Sequence, residues 1–304
     1  MPHDHPHHHH VAPEAGDRRV ALAVLVNVAL TAAQVVGGIL AGSLSLIADA
    51  LHNFSDALSL VIAFVARRIA RRPADAVMTF GYARAETVAA LINYTTLIVI
   101  GLYLLYEAAL RFADPAPIDG WIVVVIAAVA LVVDLVTAGL TYALSKHSMN
   151  IRAAFLHNLA DALGSVGVMI AGGGAILYDL HILDPVITVG IAAYILWHAG
   201  TEIGGVIRVL MLGAPPDIQT RRILETMEDA PGVAGVHHLH LWQMEEDTAA
   251  LEAHVTVEEG RWHEADAIKQ ALRKRLKACG VGHATLELEC HRHACDGAAA
   301  IGHD

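Results

Sequence analysis

An eleven-residue stretch occurs twice in this chain. Residues 51–61 read LHNFSDALSLV and residues 156–166 read LHNLADALGSV, identical at seven positions with a constant offset of 105. Each copy holds a His and an Asp four residues apart: His52 with Asp56, and His157 with Asp161. On a helix that spacing puts both side chains on one face. Two imidazoles and two carboxylates make a complete four-ligand set, which suits tetrahedral zinc and admits cobalt or cadmium. All-oxygen sites for calcium, magnesium or manganese would not need the two His. Copper(I) would want thiolate or thioether, and the three Cys all lie in the last 26 residues.

The elements that must carry these residues are membrane spans. Of 304 residues, 55% are hydrophobic and only 17% are Asp, Glu, Lys or Arg, which excludes an ordinary soluble enzyme. Apolar segments at 20–41, 44–66, 86–110, 120–144, 153–177 and 184–212 each reach the length that crosses a hydrocarbon core of about 30 Å. Basic residues collect in alternate connections: Arg18 and Arg19; Arg67, Arg68, Arg71, Arg72 and Arg84; Lys146 and Arg152; Arg208, Arg221 and Arg222. The opposite connections carry almost none, although Arg111 stands just before one of them. This bias predicts that both termini face the cytoplasm. A net charge of −11 argues against nucleic acid as a partner.

In that topology the two motif copies run antiparallel, as in the inverted repeats of transporters. Each begins about eight residues into its span, roughly 12 Å at 1.5 Å per residue, so both land near the bilayer middle. A carboxylate at that depth costs about 2.5–3.5 kcal/mol on insertion scales and marks a pathway. One such pair could be a helix–helix hydrogen bond; two matching copies argue for a site. Two aspartates and a divalent ion are neutral together, whereas the empty site carries −2. Protons can relieve that charge and metal must displace them, so proton–metal exchange follows as an expectation.

Asp49, three residues before His52, shares its face. It is either an acceptor that orients His52 or a residue at the outer mouth. Asp134 is a lone acid in span four, either a cavity-facing proton carrier or a paired structural acid. Asn27 and Gln34 read as interhelical hydrogen-bonding residues. Gly172, Gly173 and Gly174 permit close packing or bending. Six His in the first ten residues form a metal-binding tract by composition, and residues 1–17 read as a disordered His-rich tail.

After Pro215 and Pro216 the pattern changes to helix, two strands, helix, strand: a small soluble α+β domain (αββαβ) over 213–290 behind the six-span domain at 18–212. Residues 291–304 form a tail bearing Cys and His, read as disordered after Cys295. Cys290, His291, His293 and Cys295 sit within six residues and could clip a soft metal, although their spacing is not a standard finger. Cytoplasmic thiols stay reduced. Strand alternation would pair Glu287 with Glu289, and separately His238 with His240, on common faces.

Six spans, His–Asp pairs in spans two and five, a basic loop between spans two and three and a small α+β tail resemble the cation diffusion facilitator family, nearest its zinc and cobalt–zinc–cadmium exporting branch. SLSLIADALHNFSDALSL, RRPADAVMTFGYARAE and GVHHLHLW are similar to that family's segments. The resemblance implies homodimeric, proton-coupled exporters of divalent metal, with His52, Asp56, His157 and Asp161 as the transport quartet. It implies a metallochaperone-like tail that binds regulatory zinc, with His237, His254 and His263 at its ligand positions and Glu287 and Glu289 where some members carry His and Asp. The metal site of the loop between spans two and three looks eroded: Asp75 stands, but Met78 and Tyr82 replace the other ligands.

These readings converge on a zinc exporter, by short loops and composition in a bacterial inner membrane. The alternatives are a membrane metal sensor acting through the tail, or a membrane metalloenzyme. The latter would want a motif such as HExxH, which the chain lacks, and an open metal position.

Overall fold

The computed structural model describes residues 28–145, 149–245, 248–295 and 297–302, without the side chains of residues 60, 140, 141, 143–145, 149–154, 157 and 245. The N-terminal His tract and Asn27 therefore lie outside the described residues. A first helix, α1, is described over Val28–Ala41. It is followed by α2 (Leu44–Ala70), α3 (Ala85–Ala113), α4 (Gly120–Ser145), α5 (Met149–Tyr178) and α6 (Leu183–Leu210). Helices α2 to α6 are long and apolar enough to cross a membrane, so this is a multi-pass membrane protein.

Ala and Gly dominate the inner faces of these helices, and that lets backbones approach. Ala48, Ala108, Ala192 and Ala199 are buried with Leu97, Leu104 and Ile195 in one cluster. Ala41, Leu46, Val123, Ala127 and Val168 form another. A Cβ on Gly172 would lie 2.9 Å from Val123 and Val124 and 3.0 Å from the Gly120 carbonyl, so α4 and α5 pack closely because Gly120 and Gly172 lack side chains. Gly173 meets nothing within 4 Å. Large residues point outward instead: Phe64, Val99, Leu102, Val125, Val132 and Ile170 are exposed, as suits a lipid-facing surface.

Where α1 turns into α2 and α5 into α6, one buried carboxylate gathers the chain. Asp184, in the first turn of α6, accepts from the hydroxyls of Ser43 (2.6 Å) and Ser45 (2.7 Å) and from the backbone N–H of Leu44 (2.8 Å) and Ser45 (3.1 Å). It thereby caps the first turn of α2 from a different helix, where the free N–H groups favour negative charge. Arg111 of α3 lies 3.6 Å from Asp184 and donates to the Gly42 carbonyl. The one Arg that strays from the basic connections thus has a local anion to answer.

By compactness the chain divides into two units, one comprising residues up to Phe64 with Ile92–Thr201, the other Val65–Leu91 with Glu202 onward. In the second unit α7 (Thr220–Glu228), β1 (Val233–Glu245), β2 (Thr248–Val257), a 3-10 turn at Trp262–Glu264, α8 (Ala265–Ala278) and β3 (Val281–Cys290) give the expected αββαβ order. The sheet order is β1-β2-β3, with β1–β2 antiparallel and β2–β3 parallel. Parallel pairing needs a crossover, which α8 supplies. Ile223 and Met227 of α7 and Ile268, Leu272 and Leu276 of α8 bury against Leu239, Leu251 and Val255 of the sheet.

The tail departs from expectation. Read as disordered after Cys295, residues 297–302 lie along β1: the Ala299 carbonyl accepts from His238 N–H at 2.9 Å, the Ala300 carbonyl from Leu239 N–H at 3.1 Å, and Gly302 N–H donates to Leu239 at 3.1 Å. The physical reason is the edge of β1, whose backbone groups want partners that the backbone of a Gly- and Ala-rich segment can supply.

Candidate metal centres

The helical spacing does what it promised. On α2, His52 Nε2 lies 3.7 Å from Asp56, and from α5 Asp161 reaches the same nitrogen at 3.2 Å. The ligand atoms of His52, Asp56 and Asp161 all fall within 4.8 Å of one another. Residues from two helices 105 positions apart in sequence therefore meet at one point. His157 stands on α5 one turn before Asp161; its side chain lies outside the described residues. Tyr194 of α6 presents its ring to His52 edge-on at 5.9 Å.

Behind this cluster runs a buried polar chain. Gln34 of α1 donates to Asp49 at 2.6 Å and accepts from Asn53 at 3.2 Å. The Ser165 hydroxyl of α5 sits 3.5 Å from Asp49 and 3.2 Å from Asp134 of α4. Asp49 is thus an interior residue, 2% exposed, and not at the outer mouth. The Gln34 reading as an interhelical donor agrees with this geometry. The links through Asn53 and Ser165 were not singled out in the sequence, where short polar residues on a helix carry no signal of their partner.

The second cluster is assembled differently. Register places His237 opposite His254, and His254 opposite Glu287, across all three strands. Glu289 lies 3.1 Å from His237 and 2.7 Å from His254, whose other nitrogen is 3.7 Å from Glu287. Burial works against the charge of Glu289, but the hydrogen bond with His254 and the neighbouring imidazoles hold its carboxyl below the usual carboxylate value.

Alternation along β1 would turn His238 to the opposite face. Instead a bulge between His237 and His240 inserts one residue, with His238 at φ 49°. His238 swings to the His237 side, its ring 5.2 Å from that of His237 and 5.1 Å from that of His254. The turn after β3 brings Cys295 back, so that ligand atoms of His237, His238, His254 and Cys295 lie within 4.8 Å of one another. Three imidazoles and one thiol make a tetrahedral donor set for zinc or a softer ion.

Other predicted tail ligands are not gathered here. His263 is exposed beside Glu264 at 3.6 Å. His291 and His293 are exposed and Cys290 is half-buried, and the compact clip drawn from them is not among the ligand groups of the described residues. In the loop after α2, Asp75 accepts from the N–H groups of Val77 and Met78 at 2.8 Å and from the Tyr82 hydroxyl at 2.7 Å. The Met78 backbone bond first, then those of Tyr82 and Val77, hold its carboxyl below the usual value.

Residues 20–211 match the family described as the cation efflux transmembrane domain, and residues 215–289 the cation efflux protein cytoplasmic domain. A cadmium, cobalt and zinc/H(+)-K(+) antiporter of Bacillus subtilis is 34% identical over 87% of this chain and 86% of its own. Zinc transporter ZitB of Pectobacterium atrosepticum is 36% identical over 95% of this chain and 90% of its own. The metal cation efflux system protein CzcD of Cupriavidus metallidurans is 32% identical over 97% and 93%.

Proposed function

The chain belongs to the cation efflux family, whose members are transporters and not enzymes, and from that premise we propose that it exports zinc, with cadmium or cobalt as further cargo, in exchange for protons. The cargo site is His52, Asp56, His157 and Asp161. The observation that carries this reading is the meeting of His52 with Asp161 at 3.2 Å and Asp56 at 3.7 Å, one motif copy facing the other. A borderline divalent ion finds imidazole and carboxylate there and no competing thiolate. Two carboxylates neutralise its charge in a medium that tolerates little. On the return step protons take the cation's place, because ligands that bind metal must release theirs. The antiporter name of one relative supports the exchange. Asp49 and Asp134, joined through Ser165, are the proposed path for those protons.

Both termini face the cytoplasm of a bacterial inner membrane in this reading, and alternating access moves the ion outward. The cytoplasmic domain pairs two copies, as its family match implies. Its His237–His238–His254–Cys295 cluster holds regulatory zinc, with Glu289 hydrogen-bonded to His254 from behind. Both alternatives, a sensor and a metalloenzyme, lack an observation in their favour.

Sealed vesicles carrying the protein and an internal pH probe test the reading. Zinc movement with opposite proton flow, lost in Asp56→Ala and Asp161→Ala, is the expected result. Zinc flux indifferent to an imposed pH gradient would sink the exchange, and unchanged flux in both variants would return the motif to helix packing.

A further inference from the structure

A cavity of about 390 Å³ opens onto the cluster and has both His52 and Asp56 in its wall. Asp56 is the most open of the three described ligands, its side chain 29% exposed against 12% for His52 and 8% for Asp161. The wall also contains His198 of α6, a metal-ligating side chain for which the proposed transport centre has no role.

Its level follows from how α2 and α6 run. The two helices are pinned together at their first turns by Asp184 on Leu44 and Ser45. Further along, His52 and Tyr194 face each other at 5.9 Å. Four more residues, about 6 Å of rise, bring Asp56 on α2 and His198 on α6. The Tyr194 and His198 rings, 6.3 Å apart, lie along one face of α6. His198 therefore stands level with Asp56, one turn nearer the Asn93–Ser59 hydrogen bond of 2.5 Å that forms the cavity's next layer.

We infer that His198 and Asp56 form an approach station, a two-ligand stop at which a divalent cation exchanges part of its water shell before the inner centre takes it. A hydrated ion that met four protein ligands at once would have to lose all its water in one step. A pathway conducts better when each site is favourable enough to enter and weak enough to leave. One imidazole and one carboxylate give that weaker grip with ligands of the same kind as the inner centre, so the ion passes without a change of preference. A His packed only against Tyr194 would have no such need to face a cavity shared with Asp56.

This inference rests on the transport reading of the His52–Asp161 centre, and its test separates the two. Zinc uptake into vesicles is measured against zinc concentration for His198→Gln and His198→Ala. The expected result is a KM raised about tenfold with kcat within about twofold, since an approach ligand acts before the rate-setting steps. His198→Cys should recover zinc KM to within about threefold and favour cadmium over zinc, because thiolate is the softer donor. Unchanged KM in both truncations would overturn the inference, as would a lost kcat at unchanged KM, which is the signature of packing. If Asp161→Ala keeps its flux, the centre itself is misread. If Asp161→Ala is silent while His198→Gln behaves as wild type, only the approach station falls.

Discussion

The two candidate metal-ligand clusters of this protein are built by opposite means. In the membrane, every described ligand sits at a helical interval from another of its own copy, and one nitrogen of His52 faces both Asp56 and Asp161. In the cytoplasmic domain, four ligands come from β1, β2 and the segment beyond β3, and two of them arrive only through a bulge and a returning tail. The first is a short-range construction repeated; the second is long-range and unique. The donors differ accordingly. Imidazole and carboxylate suit a borderline ion that must be released, whereas three imidazoles and a thiol suit one that stays.

The largest expected effect breaks the comparison at its first half. Asp161→Ala should lower zinc flux in vesicles by about a hundredfold or more, because loss of a buried ligand leaves an incomplete sphere and an unbalanced charge. Flux within a few fold of wild type would remove the cluster from the pathway. Next comes the anchor that keeps α2 and α6 in step. Asp184→Ala strands Ser43, Ser45 and Arg111 and should destabilise the helices by about 3 kcal/mol, read as a lower melting midpoint in detergent.

The cytoplasmic half is sharpened by its thiol. Cys295→Ser should weaken cadmium binding by the full-length protein about tenfold at that cluster, with transport at saturating zinc retained. Equal cadmium affinity would leave three imidazoles as the whole site. The smallest effect is acid-dependent. Folding holds the Glu289 carboxyl below its ordinary value, so its contacts with His237 and His254 contribute stability above about pH 4.3 and lose it as pH falls through the lowered value. The melting difference between wild type and Glu289→Gln should therefore be present near pH 7 and be lost as pH falls through the lowered value.

Spans, the chain order of helices and strands in the tail domain, and the intramembrane motif were legible because each is a local pattern. Long apolar runs gave α2 to α6, and i, i+4 spacing put His52 with Asp56. Asp49 could be placed on the His52 face but not at a depth, because depth depends on what Gln34 and Ser165 bring against it. Other features had no local signature at all. The bulge at His238 inverts the alternation that strands normally obey. Residues 297–302 bind β1 through backbone groups, which any sequence possesses. Arg111 looked like a stray charge until Asp184, distant in sequence, supplied its partner.

The sequence by itself therefore determined the bilayer as solvent, the repeated His–Asp pairs and the class of cation that they suit, since these follow from residue type and period. Only the tertiary structure decided which of the tail's many His converge, that Cys295 joins them, and that His198 lines the same cavity as Asp56. Each of those depends on two segments meeting across a long stretch of chain, and the closure of such contacts is set by packing and hydrogen bonding of the whole fold.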